Sequence, residues 1–154
     1  MVLRPSESSQ KKPLLLSFSD SYLATFGSAG KKKCSEGVCF DWSCCERCSP
    51  TQGCVPHCKQ LEAIPFDQIG GLVFEPGSSS GTVKFPPRKL IKVLERLIKD
   101  TGGLIMANEI TTGMGRTGAW FGYEHYSLHP DVIAIGKGLG NGYPVNAVAI
   151  GHDA

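Results

Sequence analysis

Residues 104–142 read LIMANEITTGMGRTGAWFGYEHYSLHPDVIAIGKGLGNG. Two short apolar runs, Leu104-Ile105-Met106-Ala107 and Val132-Ile133-Ala134-Ile135, bracket a loop rich in glycine and threonine. Uninterrupted apolar runs of four bounded by turn residues predict strands buried on both faces, the kind found in parallel sheets. Upstream, Gly71-Leu72-Val73-Phe74 is a third such run, closed by Glu75-Pro76, where proline removes a ladder donor. Between them Leu90, Ile91, Val93, Leu94, Leu97 and Ile98 recur at helical spacing. Pro86-Pro87 before that stretch and Gly102-Gly103 after it are ordinary start and stop signals.

Working outward, Val145 to Ile150 predicts a further strand and Leu14 to Phe18 an earlier one, followed by a turn at Ser19-Asp20-Ser21. Apolar strands alternating with a helix predict an α/β fold with a mostly parallel sheet. Residues 27–60 are rich in Gly, Cys, Ser and Pro and show neither a strand nor a helix period. They are expected to form a loop-like insertion. The chain therefore divides into a first piece of the sheet domain (1–26), the Cys-rich insertion (27–60) and the domain core (61–154).

The 154 residues are 41% hydrophobic and 19% charged, a globular composition. A net charge of +2 does not point to a nucleic-acid partner, and Lys31-Lys32-Lys33 is the one basic run. No stretch has the length of a membrane-spanning helix, and Leu14-Leu15-Leu16 is too short for a signal-peptide core. The expected compartment is the cytoplasm, where free thiols are usual.

In open α/β sheets, ligands collect beyond the carboxyl ends of the strands. Glu75, Asn108 and Lys137 each lie at or just past the end of a predicted strand, so they form a site hypothesis on position alone. Gly136-Lys137-Gly138-Leu139-Gly140 puts one amine among residues that let a bulky ligand approach the backbone. A lysine so placed can serve as an amine nucleophile. Gly138 stands where a phosphate-binding P-loop would carry Ser or Thr.

Taken in order, Glu75-Pro76, Asn108 through Gly118, Trp120-Phe121, His125, Pro130-Asp131 and Lys137-Gly138-Leu139-Gly140 resemble the class III aminotransferases. The resemblance runs from about residue 11 to 154 and is interrupted by the Cys-rich segment. It implies the large, mostly parallel-sheet domain of a fold type I pyridoxal-phosphate (PLP) enzyme, usually a homodimer. It also implies an amino donor and a 2-oxo acid acceptor as small-molecule substrates. Lys137 matches the family's Schiff-base lysine, which binds PLP and shuttles a proton. Tyr22 matches the aromatic residue over the pyridine ring, and Glu75 the glutamate of the Glu-Pro pair lining the site. Arg116-Thr117-Gly118 matches a framework loop beside the cofactor strand.

The chain departs from the family in three places. Asn108 stands where an aspartate normally keeps the pyridine nitrogen protonated, and a neutral amide supplies no such charge. Thr111 replaces a glutamine that contacts the phenolic oxygen, and can still donate a hydrogen bond. Ser80 replaces a glutamate that pairs with a substrate-sensing arginine in many transaminases. These changes leave racemisation or aminomutation open beside transamination. A third alternative is a non-catalytic, metal-binding protein on a degraded aminotransferase fold.

Seven cysteines all fall between Cys34 and Cys58. Cys39, Cys45, Cys48, Cys54 and Cys58 bring thiols within reach of a zinc ion or an iron–sulfur cluster, although the spacing matches no standard zinc motif. Free thiols in a surface insertion are the other reading. The family's phosphate-binding loop normally precedes Tyr22, and residues 1–21 do not resemble it. Together with family residues expected beyond Ala154, this leads to the expectation that the chain alone is an inactive fragment.

Overall fold

A computed structural model of the chain describes residues 14–18, 37–40, 58–77 and 85–152. Their elements run in the order β1 (Leu14–Phe18), β2 (Gly37–Phe40), α1 (Lys59–Glu62), β3 (Ile69–Phe74), α2 (Arg88–Asp100), β4 (Leu104–Asn108), β5 (Val132–Ile135) and β6 (Ala147–Ile150). Short 3-10 turns at Phe66–Gln68, Gly122–Tyr126 and Lys137–Gly140 lie between them.

All six strands join one sheet in the order β2-β1-β3-β4-β5-β6. The first five are mutually parallel, and β6 closes the edge antiparallel to β5. The mostly parallel α/β architecture anticipated from the apolar runs is present. Every parallel strand thus ends at the same edge, which is where β3, β4 and β5 deliver the three candidate site residues.

One side of the sheet is packed by α2, whose Leu90, Ile91, Leu94 and Ile98 are buried. They meet Leu16, Leu72, Phe74 and Ile105 in a single core. Pro87 caps the helix in an extended conformation, and the chain leaves it after Asp100 through Gly102, whose φ of 75° suits glycine. An edge-to-face series of rings, Phe40, Phe18, Phe74 and Tyr126, crosses from β2 over β1 and β3 to the 122–126 turn. Its centroid separations are 6.2, 6.2 and 4.9 Å.

The structure corrects the sequence in two places. Residues 27–60 were expected to carry no strand, yet Gly37–Phe40 pairs in parallel with β1, with Cys39 level with Ser17. Four residues that begin with glycine are too short to display a period, and pairing with β1 supplies what local propensity lacks. The last strand starts at Ala147, because Val145 is held in a turn by its N–H to the Tyr143 carbonyl, 2.8 Å. No helix among the described residues is long and apolar enough to cross a membrane.

A polar cluster fastens α2 to the turn that leads into β5. Glu95 accepts from Lys92 Nζ at 2.7 Å and from the His129 backbone N–H at 3.0 Å. Burial works to raise the Glu95 pKa, but the Lys92 and His129 hydrogen bonds and the Lys92 charge outweigh it and hold it below the ordinary glutamate range. A carboxylate depressed in this way stabilises the fold above its unfolded value and stops doing so as pH falls through the folded one. Glu95→Gln should therefore cost under about 1 kcal/mol at neutral pH, the scale of a partly exposed ion pair. In urea titrations that difference should shrink toward zero on acidification below the carboxylate range; a difference that grew instead would contradict the assignment.

Candidate functional site

The sheet's carboxyl edge brings together the three residues expected there. Phe74 is paired with Ala107 and Asn108 with Ala134, so β3, β4 and β5 leave the sheet side by side. Glu75 follows β3 directly and is 5% exposed. Asn108 is the last residue of β4, half-buried on the side of the sheet away from α2. Lys137 lies two residues beyond β5, at the start of a 3-10 turn. The Lys137 side chain is exposed.

Two contacts define the chemistry at this edge. Lys137 Nζ donates a hydrogen bond to Thr111 Oγ1 at 3.0 Å. Asn108 Oδ1 accepts from the Ile110 backbone N–H at 3.4 Å, an Asx-type turn that directs the chain into the loop. The amide's two Nδ2 hydrogens and the second lone pair of Oδ1 are what Asn108 offers a ligand. The edge thus gathers a primary amine, a neutral amide donor, a hydroxyl and a buried carboxyl.

Sequence reasoning missed Glu109, which organises the loop. It is 1% exposed, and its carboxylate accepts from Thr112 Oγ1 at 2.6 Å, Gly122 N–H at 2.9 Å and Tyr123 N–H at 2.7 Å. Its own N–H donates to the Ala134 carbonyl at 2.8 Å, and its carbonyl accepts from Gly113 N–H at 2.9 Å. A Cβ at Gly122 would sit 2.8 Å from Pro76 Cβ and 2.9 Å from Thr112 Cβ, so only glycine lets the turn come this close. The available signal was a charged residue immediately after a buried strand, facing glycines at 113 and 122.

Nearby, Tyr126 donates its hydroxyl to the Pro76 carbonyl at 3.2 Å, and burial pushes its pKa up to about 12. His125 Nε2 lies 3.1 Å from both the carbonyl and the hydroxyl oxygen of Thr117. Thr117 is therefore tied to the 122–126 turn, while Arg116 Nε lies 3.6 Å from where a Cβ at Gly138 would sit, beside Lys137.

The remaining sequence candidates are distributed differently. Tyr22, Ser80, Cys45, Cys48 and Cys54 lie outside the described residues. Cys39 belongs to β2, and Cys58 is a free thiol packed against the core. Among the described residues, no three His, Cys, Asp or Glu side chains are grouped to hold a metal ion.

Residues 37–153 match the family model for aminotransferase class-III. The chain is 32% identical over 93 residues to a taurine–pyruvate aminotransferase of Bilophila wadsworthia, covering 58% of this chain and 20% of that protein. It is 35% identical over 105 residues to a leucine/methionine racemase of Thermococcus litoralis, covering 67% of this chain and 24% of that one. The chain thus spans between a fifth and a quarter of these curated relatives. In fold it is similar to an (S)-enantioselective ω-transaminase from Thermomicrobium roseum. The TM-score is 0.76 at 22% identity, over 91% of this chain and 36% of that one.

The Glu109 network yields a direct test. Glu109→Ala would leave two backbone N–H groups and one hydroxyl unpaired in buried surroundings and should lower stability by about 3 kcal/mol. Glu109→Gln, which keeps one acceptor oxygen, should lose less. Urea unfolding measures both, and a loss below about 1 kcal/mol for the alanine variant would show that the carboxylate does not hold the loop.

Proposed function

The chain belongs to the class III aminotransferase family, and from that premise we propose that it is the PLP-bearing part of an enzyme that transfers an amino group from an amino acid or ω-amine to a 2-oxo acid. The observation that carries this reading is Lys137 Nζ at the carboxyl edge of a parallel sheet, beside the Thr111 hydroxyl and one strand away from Asn108. PLP, when bound, supplies an aldehyde for the amine and a ring that takes up electrons from the substrate's α-carbon. The residues present fit such a group: an amine to bond the aldehyde, a hydroxyl and an amide to meet ring oxygen and nitrogen, and a flanking carboxyl.

Within that reading Lys137 is the residue that would hold PLP covalently, and its amine would carry the proton to and from the substrate α-carbon. With the cofactor bound, Asn108 would meet the ring nitrogen as a neutral hydrogen-bond partner, Thr111 would meet the phenolic oxygen and Glu75 would flank them; Tyr22, which the family resemblance sets over the ring, lies outside the described residues. Asn108 leaves the nitrogen less readily protonated than an aspartate would, which weakens the electron sink.

Similarity to a protein named as a leucine/methionine racemase supports a second reading, in which the same amine returns the proton to the opposite face. A cluster of cysteines holding zinc or an iron–sulfur centre stays a separate proposal for the 27–60 segment.

Every residue of β6 is exposed, with Val148 at 62% and Ile150 at 66%. We take this apolar edge to be covered in a homodimer of the whole enzyme. With Lys137 and β6 open to water, the isolated chain should be all but inactive, reacting only slowly, since excluding water strengthens the electrostatics of a site. Incubated with PLP and an amine donor, it should accumulate pyridoxamine phosphate and the oxo product slowly and only while Lys137 is present. Mass spectrometry of wild type and Lys137→Ala checks this. Inversion of an amino acid without pyridoxamine phosphate would favour the racemase reading, and robust turnover would overturn the expected slowness.

A further inference from the structure

Two close glycine approaches and one hydrogen bond join the loop after β4 to the turn after β5. At Gly136 an added Cβ would lie 3.3 Å from Ile110 Cγ2, and at Gly138 it would lie 3.0 Å from Met114 Cβ. Between these close approaches, Lys137 Nζ reaches Thr111 Oγ1 at 3.0 Å. Lys137 itself has a φ of 38°, in the left-handed region that residues with a Cβ rarely occupy. Its backbone is fixed by the packing of the glycine on either side of it, while the flexible four-carbon stem is held at its far end by one hydroxyl.

We propose that Thr111 is the positioning residue for the Lys137 amine, holding Nζ at the carboxyl edge of β5 ready to attack an aldehyde. The proposal rests on reading Lys137 as the PLP-bearing lysine and adds a role for Thr111 that precedes any contact with the cofactor. A threonine hydroxyl suits the task because it accepts from the amine while keeping its own O–H for a second partner. An unheld lysine stem spreads over many rotamers, and fixing the reacting geometry in advance is what speeds the attack. The Nζ lone pair forms a bond to the aldehyde carbon, and the carbonyl oxygen leaves as water with the two amine hydrogens. Added borohydride then delivers a hydride to that carbon while nitrogen takes a proton from solvent, which makes the link permanent.

The test uses the full chain, PLP and a borohydride quench at timed intervals, with peptide mapping of the modified lysines. Wild type should label Lys137 ahead of Lys89 and Lys99. Thr111→Val, which keeps the shape and removes the hydroxyl, should slow labelling of Lys137 about fivefold, the scale of one net hydrogen bond. Labelling of Lys89 and Lys99 should be unchanged, which reports that the fold is intact. Thr111→Ser should restore the wild-type rate to within about twofold, because it returns the hydroxyl. Unchanged Lys137 labelling in the valine variant would overturn the positioning role while leaving the PLP assignment standing. A wild-type chain that labels Lys137 no faster than Lys89 would overturn the PLP assignment itself, and the proposal with it.

Discussion

The carboxylate of Glu109 is the interaction on which the rest of the site depends. It is buried and accepts three hydrogen bonds, one from the Thr112 hydroxyl and two from the backbone of the 122–126 turn. Charge-assisted bonds in low-dielectric surroundings are stronger than neutral ones and expensive to leave unmade. One residue beyond β4, this single group folds the chain from 109 to 123 back upon itself. Tyr126, at the end of that turn, then reaches the Pro76 carbonyl just past β3, so the exits of β3 and β4 are tied together. The loop that carries Thr111 is set against the Lys137 turn as a result.

The parts of the fold visible in the sequence were those with a strong local signal. The helix Arg88–Asp100 shows its period, its prolines and its glycine exit, and β3, β4 and β5 are apolar runs closed by turn residues. Because those strands are parallel, naming their ends was enough to bring Glu75, Asn108 and Lys137 to one edge. Strand β2 was not legible: GVCF is an edge strand of four residues inside a stretch dominated by turn formers. Its place is decided by pairing with β1 and by Phe40 entering the ring series, both long-range facts.

Glu109 was hidden for a different reason. A glutamate among threonines and glycines resembles a solvated loop residue, and only the closeness permitted by Gly122 shows why it is buried. The exposure of Lys137 was equally out of reach, because it depends on what covers the edge in three dimensions. Chemistry at the site was partly legible. Asn108 announces a neutral group where the family resemblance leads one to expect a charge, and the structure adds that its oxygen is already engaged by Ile110 N–H.

The central claim is that Lys137 is the covalent anchor for PLP, with the ring nitrogen directed toward Asn108. A crystal structure of the chain grown with PLP measures this most directly. The account predicts continuous electron density from Lys137 Nζ into the cofactor, with the ring nitrogen within hydrogen-bonding distance of the Asn108 amide. Cofactor density joined to a different lysine, or a ring nitrogen facing away from Asn108, would contradict it.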